Sequence, residues 1–161
     1  MKILYYIIYP LWYSFSLLPL SVLYVVSDLL FHLLYHVLRY RRHIVRKNLV
    51  ESFPEKSEKE IHHIERGFYH FFCDYLVESI KMMSITPEEM KRRMTFKGTE
   101  IINAVLKSGG SAALYLGHFC NWEWVSSLPL WFTKEAVCGQ IYHPIENKDI
   151  DRLFLKQRGR M

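Results

Sequence analysis

The chain opens with an apolar stretch that has no charged side chain from Ile3 to Ser27. Because a bilayer core is crossed by about 20 apolar residues, this stretch predicts a membrane anchor. Pro10 and Pro19 interrupt the stretch, and its many tyrosines are typical of a segment lying at the membrane interface. A kinked or shallow monotopic anchor therefore stays open beside a true span.

A cluster of basic residues follows the apolar stretch. Its members are Arg39, Arg41, Arg42, Arg46 and Lys47. By the positive-inside rule, the cluster places the rest of the chain in the cytoplasm. Next to an apolar segment, it is expected to contact anionic lipid. A plain solvated helix face is the alternative interpretation.

Five helices are predicted beyond residue 50. Ser57 with Glu60 forms a capping box that opens the first helix, and the pair Thr86-Pro87 opens a second. A third runs from Thr99 to Ser108, where Gly109-Gly110 stops it. A fourth covers Asn121 to Leu128 and is ended by Pro129, and a fifth covers residues 148–158. The first helix carries apolar residues at steps of three and four, so one of its faces is expected to pack, and the last helix is also amphipathic.

Three runs between these helices are typical of strands, and they decide the predicted fold class. They cover residues 95–98, 111–117 and 136–142. Because strands alternate with helices from residue 95 onward, the pattern predicts an α/β fold with a partly parallel sheet. The predicted organisation is a membrane anchor with a basic flank over residues 1–50, a helical segment over 51–93, and an α/β domain over 94–161.

Composition and charge narrow the function classes. The 161 residues are 50% hydrophobic, which excludes a disordered chain, and the net charge of +5 favours anionic partners. Nucleic acid is disfavoured because the basic residues adjoin a membrane segment. Cys73, Cys120 and Cys138 are widely spaced and odd in number, which argues against a disulfide scaffold or a zinc site. No metal and no cofactor are predicted.

The strongest chemical signal is His118 with Glu123. The predicted strand 111–117 delivers His118 into a turn, and Asn121 is placed to cap the helix that follows. Glu123 then falls in the first helical turn, where its carboxylate can orient the imidazole of a general base. The alternative is a hydrogen-bonded turn histidine beside an acid that the helix dipole favours.

Three ordered blocks resemble one protein family. The segment Gly117–Glu123 resembles the HX4E active-site block of the bacterial lipid A biosynthesis acyltransferases, within the lysophospholipid acyltransferase superfamily. Residues 46–54 are similar to that family's R-x-N-L-x-x-S-F-P segment. Tyr142 to Asn147, continuing to Arg158, is similar to its Y-R-P-x-x-N-x-x-x-D block. The family's arginine in the last block is His143 here, which removes a permanent charge.

The resemblance implies an acyltransferase on the cytoplasmic face of the bacterial inner membrane. It would move a fatty acyl group from acyl carrier protein, or from acyl-CoA, to a hydroxyl of a lipid A precursor. His118 and Glu123 would be the catalytic pair. Substrate binding is assigned to Asn121, Trp122, Asn147 and Arg158. Family members are longer than this chain, so it is expected to be an N-terminal half with only the first part of the sheet domain.

Two alternatives remain open at the level of sequence. One is an acyltransferase that acts on a different lipid acceptor by the same base chemistry. The other is a non-catalytic, membrane-attached module that binds anionic lipid or a protein through the basic cluster. The second alternative gives no reason for a Gly-His turn placed before a helix.

Overall fold

A computed structural model describes residues 3–133 and 135–161. In these residues seven α-helices follow one another: α1 Ile3–Ser16, α2 Leu20–Phe31, α3 Arg42–Ser52, α4 Glu58–Lys81, α5 Pro87–Arg93, α6 Thr99–Lys107 and α7 Lys148–Arg158. A π-helical segment, His32–Val37, continues α2, and a 3-10 helix, Trp122–Trp131, lies between α6 and α7. The chain divides into two compact units. One is Leu18–Glu78, and the other joins the N-terminal residues up to Leu17 with Ser79–Met161.

The predicted helix signals beyond residue 50 are confirmed. The Ser57 backbone N–H donates to the Glu60 carboxylate at 2.9 Å, and the Glu60 N–H donates to the Ser57 hydroxyl at 3.4 Å, which completes the capping box. Thr86 caps α5 by accepting from the Glu89 N–H at 3.2 Å. After α6, Gly109 adopts a left-handed φ of +80°, which glycine reaches without steric cost. Each of these signals depends only on residues close together in sequence, which is why the structure contains the predicted cap or turn.

In the unit Leu18–Glu78, α2 and its π-helical continuation pack along α4. The buried centre of this contact contains Phe31, Tyr35, Tyr69 and Cys73. Side-chain hydrogen bonds extend the contact: the Ser27 hydroxyl donates to Asp74 at 2.6 Å. We call this pair of packed segments the α2–α4 hairpin.

In the other unit, α1 packs against α7. Tyr5 and Leu153 are buried together with Met83, and the Trp12 ring meets Phe154 at 6.0 Å between centroids. Tyr9 stacks on Tyr5 at 5.6 Å. The Lys156 ammonium lies 4.0 Å from the Tyr9 ring centroid, a cation–π geometry. The start of the apolar stretch is therefore part of a folded unit.

The predicted α/β fold class is wrong, because no strand occurs among residues 3–133 and 135–161. The three runs predicted as strands, 95–98, 111–117 and 136–142, are irregular in the structure. A helix closes its hydrogen bonds within its own segment, whereas a strand needs a partner at about 4.8 Å, and the described residues supply none. Their apolar side chains are consequently exposed, as Tyr115 at 97% and Val137 at 98% illustrate.

The apolar N-terminal stretch is two helices, since α1 ends at Ser16 and α2 begins at Leu20. Pro19 lies at the N-cap of α2. Among the described residues one helical stretch, Leu20–Val37, is long and apolar enough to cross a membrane by length and composition. That stretch reaches past the uncharged residues and includes Asp28.

Candidate active site

The turn that carries His118 is built from its own backbone. The Phe119 N–H donates to the Gly117 carbonyl at 2.9 Å, and Cys120 adopts a left-handed φ of +51°. Cysteine pays a steric penalty in that region, so the turn is under local strain. His118 itself is exposed, and its ring meets the Trp122 ring at 4.6 Å in an edge-on arrangement. The His118 imidazole is therefore accessible at the surface of its unit.

Glu123 lies in the first turn of the 3-10 helix, where sequence analysis placed it. Asn121 caps this helix by accepting from the Trp124 N–H at 3.3 Å. The Glu123 residue is only 2% exposed. A buried carboxylate needs compensation for its lost hydration, and a cation with matched hydrogen bonds is the usual source.

Arg158 supplies that compensation. Its Nε donates to one Glu123 oxygen at 2.9 Å, and a terminal nitrogen donates to the other at 2.6 Å. This is the bidentate geometry in which arginine binds a carboxylate most strongly. The family resemblance implied a substrate role for Arg158, and its contact with Glu123 was not predicted. No local spacing could have revealed it, since 35 residues separate the two.

Trp122 links the two sides of this site. Its ring contacts His118 on one side, and the Arg158 guanidinium lies 5.4 Å from its centroid. Phe154 and Tyr142 place their rings 5.5 Å and 5.9 Å from the same guanidinium. The catalytic candidates and two of the predicted substrate residues are therefore neighbours within one unit.

Asn147 has a structural contact in the same region. It is the N-cap of α7, and its side-chain oxygen accepts from the N–H groups of Asp149 and Ile150 at 3.0 and 3.2 Å. Asp151 accepts from the Ile145 N–H at 3.0 Å, which fixes the segment before the helix. The third family-like block therefore builds the start of the helix whose last turn carries Arg158.

The predicted catalytic pair is close in sequence without being hydrogen-bonded in this structure. Among the described residues, no hydrogen bond joins the His118 imidazole to the Glu123 carboxylate. An ionised carboxylate has about four lone-pair sites, and Arg158 occupies two of them. Glu123 therefore keeps capacity for a second donor, and its role toward His118 stays a prediction.

The basic cluster is split between two environments. Arg39, Arg41 and Lys47 are exposed. Arg42 and Arg46 instead donate to Glu65 of α4, at 2.8 and 3.0 Å. Burial opposes ionisation of Glu65, but the hydrogen bonds from these two arginines outweigh it and hold the pKa of that carboxyl below its usual value. Two of the five predicted lipid contacts therefore also hold α3 against α4.

Metal ligation is not indicated in residues 3–133 and 135–161, where no three histidine, cysteine or acidic side chains are grouped to hold an ion. The thiols of Cys73, Cys120 and Cys138 are free. Burial raises the pKa of the Cys73 thiol to about 11, which makes it a poor nucleophile at neutral pH.

Comparison with known proteins then gives the family. The model of the bacterial lipid A biosynthesis acyltransferases matches residues 1–161. The chain belongs to this family. No curated protein and no solved structure matches it. The resemblance carried by the three sequence blocks is thereby confirmed, and membership supports acyl transfer in lipid A biosynthesis as the general activity of this acyltransferase.

Proposed function

We propose that this acyltransferase moves a fatty acyl group from a thioester donor to a hydroxyl of a lipid A precursor, with His118 as general base. The observation that carries the proposal is the family match together with an exposed histidine, His118, five residues before a buried carboxylate, Glu123. The donor is acyl carrier protein or acyl-CoA. The reaction takes place at the cytoplasmic face of the bacterial inner membrane.

The proposed chemistry uses one imidazole twice. A ring nitrogen of His118 accepts the proton of the acceptor hydroxyl as that oxygen attacks the thioester carbonyl carbon. The tetrahedral intermediate then breaks its C–S bond, and the imidazolium returns the proton to the departing thiolate. The products are an ester and a free thiol. General-base help of this kind contributes about 10²–10⁴ in rate.

Glu123 is proposed to orient His118, and Arg158 to hold Glu123. The bidentate contact supports this order of dependence, because it fixes both oxygens of a carboxylate that is 2% exposed. Arg158 then acts as a positioning residue. Asn121 and Trp122 lie between His118 and Glu123 in the chain. They are proposed to contact substrate, as is Asn147.

Membrane contact is proposed for the basic cluster, chiefly through its exposed members Arg39, Arg41 and Lys47. Phosphate groups of the lipid surface are their expected partners, and each such cation near an anionic surface contributes about 1 kcal/mol. This attachment would keep the acyltransferase beside a lipid acceptor.

The proposal is tested by acyl transfer from labelled acyl carrier protein to a lipid A precursor in membranes that contain the chain. Three forms are compared: wild type, His118→Ala and His63→Ala. His63 is an exposed histidine of α4 and serves as the matched control. We expect transfer by the wild type and by His63→Ala, and its loss in His118→Ala.

Two results would contradict the assignment. Equal transfer by wild type and His118→Ala would remove His118 from the chemistry. Transfer that requires a glycerolipid acceptor in place of the lipid A precursor would keep the base but change the substrate.

A further inference from the structure

The helical stretch Leu20–Val37 packs against α4, a helix that carries charged side chains. Within its unit it packs along α4, and the contact runs over most of its length: Tyr24 donates to Glu78 at 2.8 Å near one end. Ser27 donates to Asp74, and Tyr35 packs against Tyr69 nearer the other end. The stretch is therefore one half of a hairpin, and its environment is set by α4 as well as by its own sequence.

Ionisable side chains occur along the whole of α4. Glu65, Arg66, His70, Asp74 and Glu78 are spaced over most of its turns. If Leu20–Val37 crossed a bilayer while packed on α4, these groups would enter the hydrocarbon with it. Asp28 of α2, which is exposed, would lie near the middle of the span. Charges at that depth are costly and rare, so the hairpin is unsuited to cross a membrane.

The face of the stretch turned away from α4 is open and carries a row of apolar side chains, with Asp28, His32 and His36 exposed beside them. Its exposed members follow one another at steps of three and four: Val22, Val25, Leu29, Leu33 and Val37. Their exposed fractions run from 42% to 71%. Because these steps return to the same side of a helix, the five residues form one ridge, which we call the α2 ridge. Its opposite side is the buried one, with Leu23, Ser27 and Phe31.

Exposed cationic side chains follow the α2 ridge in the chain. Arg39 and Arg41 are exposed directly after Val37, and Lys47 is exposed on α3. An apolar face bordered by cations is the pattern of a helix that lies in the interface plane of an anionic membrane. An apolar surface of another protein would cover the α2 ridge but would offer no phosphate groups to these cations, whereas an anionic lipid surface offers both.

We infer that the α2–α4 hairpin binds an anionic lipid surface in the plane of the membrane, with the α2 ridge inserted and α4 kept on the water side. The partner is the bilayer surface itself, and the attachment is monotopic. The inference rests on the membrane attachment included in the proposed function and is independent of the chemistry at His118.

Topology is tested first by labelling the full chain with a membrane-impermeant maleimide. Cys120 and Cys138 are exposed and are replaced by serine, while the buried Cys73 is retained because its high pKa keeps it unreactive. Ser21→Cys then reports the start of the stretch Leu20–Val37, and Lys47→Cys, on α3, reports the chain after its end. Inside-out membrane vesicles expose the cytoplasmic face, and spheroplasts expose the other.

In-plane binding predicts that both cysteines react on the same side. Reaction in inside-out vesicles alone supports both the inference and the proposed cytoplasmic location. Reaction of both in spheroplasts alone keeps the in-plane arrangement and overturns the proposed location, so the two failures are distinguishable. If Lys47→Cys reacts from one side while Ser21→Cys reacts from the other, or from neither, the inference is overturned.

Depth is tested second in vesicles of phosphatidylcholine and phosphatidylglycerol. An environment-sensitive fluorophore is placed on Val22→Cys, Leu29→Cys and Val37→Cys, and lipids brominated at one acyl position quench it. These positions cover about 22 Å along a helix. Equal quenching at all three supports the inference, whereas one depth maximum at Leu29 indicates a span and overturns it. Ile101, exposed on α6, is the matched control and should stay unquenched as Ile101→Cys.

A second copy of the chain is the remaining occupant that the test can detect. It would leave the three ridge fluorophores unquenched by lipid and would allow disulfide cross-links between chains at Leu29→Cys. That result overturns a lipid partner. Removing phosphatidylglycerol should lower vesicle binding if the cations contact anionic lipid, and unchanged binding would contradict their part in the attachment.

Discussion

Among the described residues, a glutamate is buried against arginine in each of the two units, and the two sites differ in what lies beside the carboxylate. Glu65 is fully buried and is bound by Arg42 and Arg46, whose side chains are 29% and 32% exposed. Glu123 is 2% exposed and is bound by Arg158, whose side chain is 15% exposed. Both arginine pairings offset the cost of burying a charge.

Their neighbourhoods give the two pairs different uses. Around Glu65 lie packed helices, and Tyr35 and its neighbours fill the space next to it. Glu123 follows a strained turn that exposes a histidine. The same ion-pair chemistry therefore holds α3 against α4 at one place, while at the other it is proposed to orient His118. Variants of the two glutamates should separate these uses.

The largest expected effect is on activity at Glu123. Glu123→Gln keeps the shape and one acceptor oxygen but removes the charge that Arg158 binds. We expect kcat to fall by about 10²–10⁴, because orientation of the general base is lost. The measurement is acyl transfer from labelled carrier protein at saturating acceptor. A wild-type rate in Glu123→Gln would assign this glutamate to structure, like Glu65.

Arg158→Lys sharpens the comparison further. Lysine keeps the positive charge and loses the bidentate fork that fixes both Glu123 oxygens. If Arg158 acts through Glu123, kcat should fall by about 10-fold to 10²-fold with KM for the acceptor unchanged. A raised KM with unchanged kcat would instead favour the acceptor-phosphate role that the sequence suggested. Steady-state kinetics over acceptor concentration decides between them.

Stability is expected to respond at Glu65. Glu65→Ala should lower the free energy of unfolding by about 2–4 kcal/mol, since two arginines lose their shared acceptor in a partly buried site. Glu58 pairs with the same Arg46 but is 81% exposed, so Glu58→Ala is the matched control. It should cost less than about 1 kcal/mol. Denaturant unfolding in detergent micelles compares the two, and equal losses would contradict the structural role of Glu65.

A pH dependence follows from the lowered pKa of Glu65. Because the folded state binds the proton less readily than the unfolded state, the ion pairs add stability at pH values above the ordinary carboxyl pKa. That stability is lost as the pH falls through the lowered pKa. Unfolding of wild type and Glu65→Gln from neutral pH down to about 3 should therefore converge in acid. A constant gap across the series would show that Glu65 does not titrate in this way.

The sequence predicted what is encoded locally. The capping box at Ser57 and Glu60, the Thr86 cap and the stop at Gly109 each involve residues within one turn, and all occur in the structure. The placement of Glu123 after the Asn121 cap has the same origin. Local hydrogen bonds form within the segment that specifies them, which is why these expectations survive.

What failed depends on partners distant in sequence. The runs 111–117 and 136–142 have strand-like composition, but composition cannot supply the neighbouring strand that a sheet requires. The contact between Glu123 and Arg158 is equally non-local, and so is the contact between α2 and α4 that places charges beside an apolar helix. Hydrophobic periodicity describes one segment at a time, so it cannot predict which distant segments or residues contact each other.

The smallest expected effect lies at Asn147, which the family blocks suggested as a substrate residue and which caps α7 in the structure. Asn147→Ala removes the acceptor for two backbone N–H groups and should cost about 1 kcal/mol. Asn147→Asp is the informative partner, because aspartate caps a helix as well as asparagine does. The added negative charge would repel a phosphate of the acceptor.

If Asn147 only caps α7, Asn147→Asp should match wild type in both thermal stability and KM, and Asn147→Ala should be mildly unstable. If it also contacts acceptor phosphate, Asn147→Asp should raise KM while stability stays unchanged. The contact between Arg158 and Glu123 makes this variant decisive, since α7 carries Arg158 in its last turn. A loosened cap in Asn147→Ala therefore lowers kcat through Glu123, whereas a lost phosphate contact raises KM, and the two kinetic constants separate the roles.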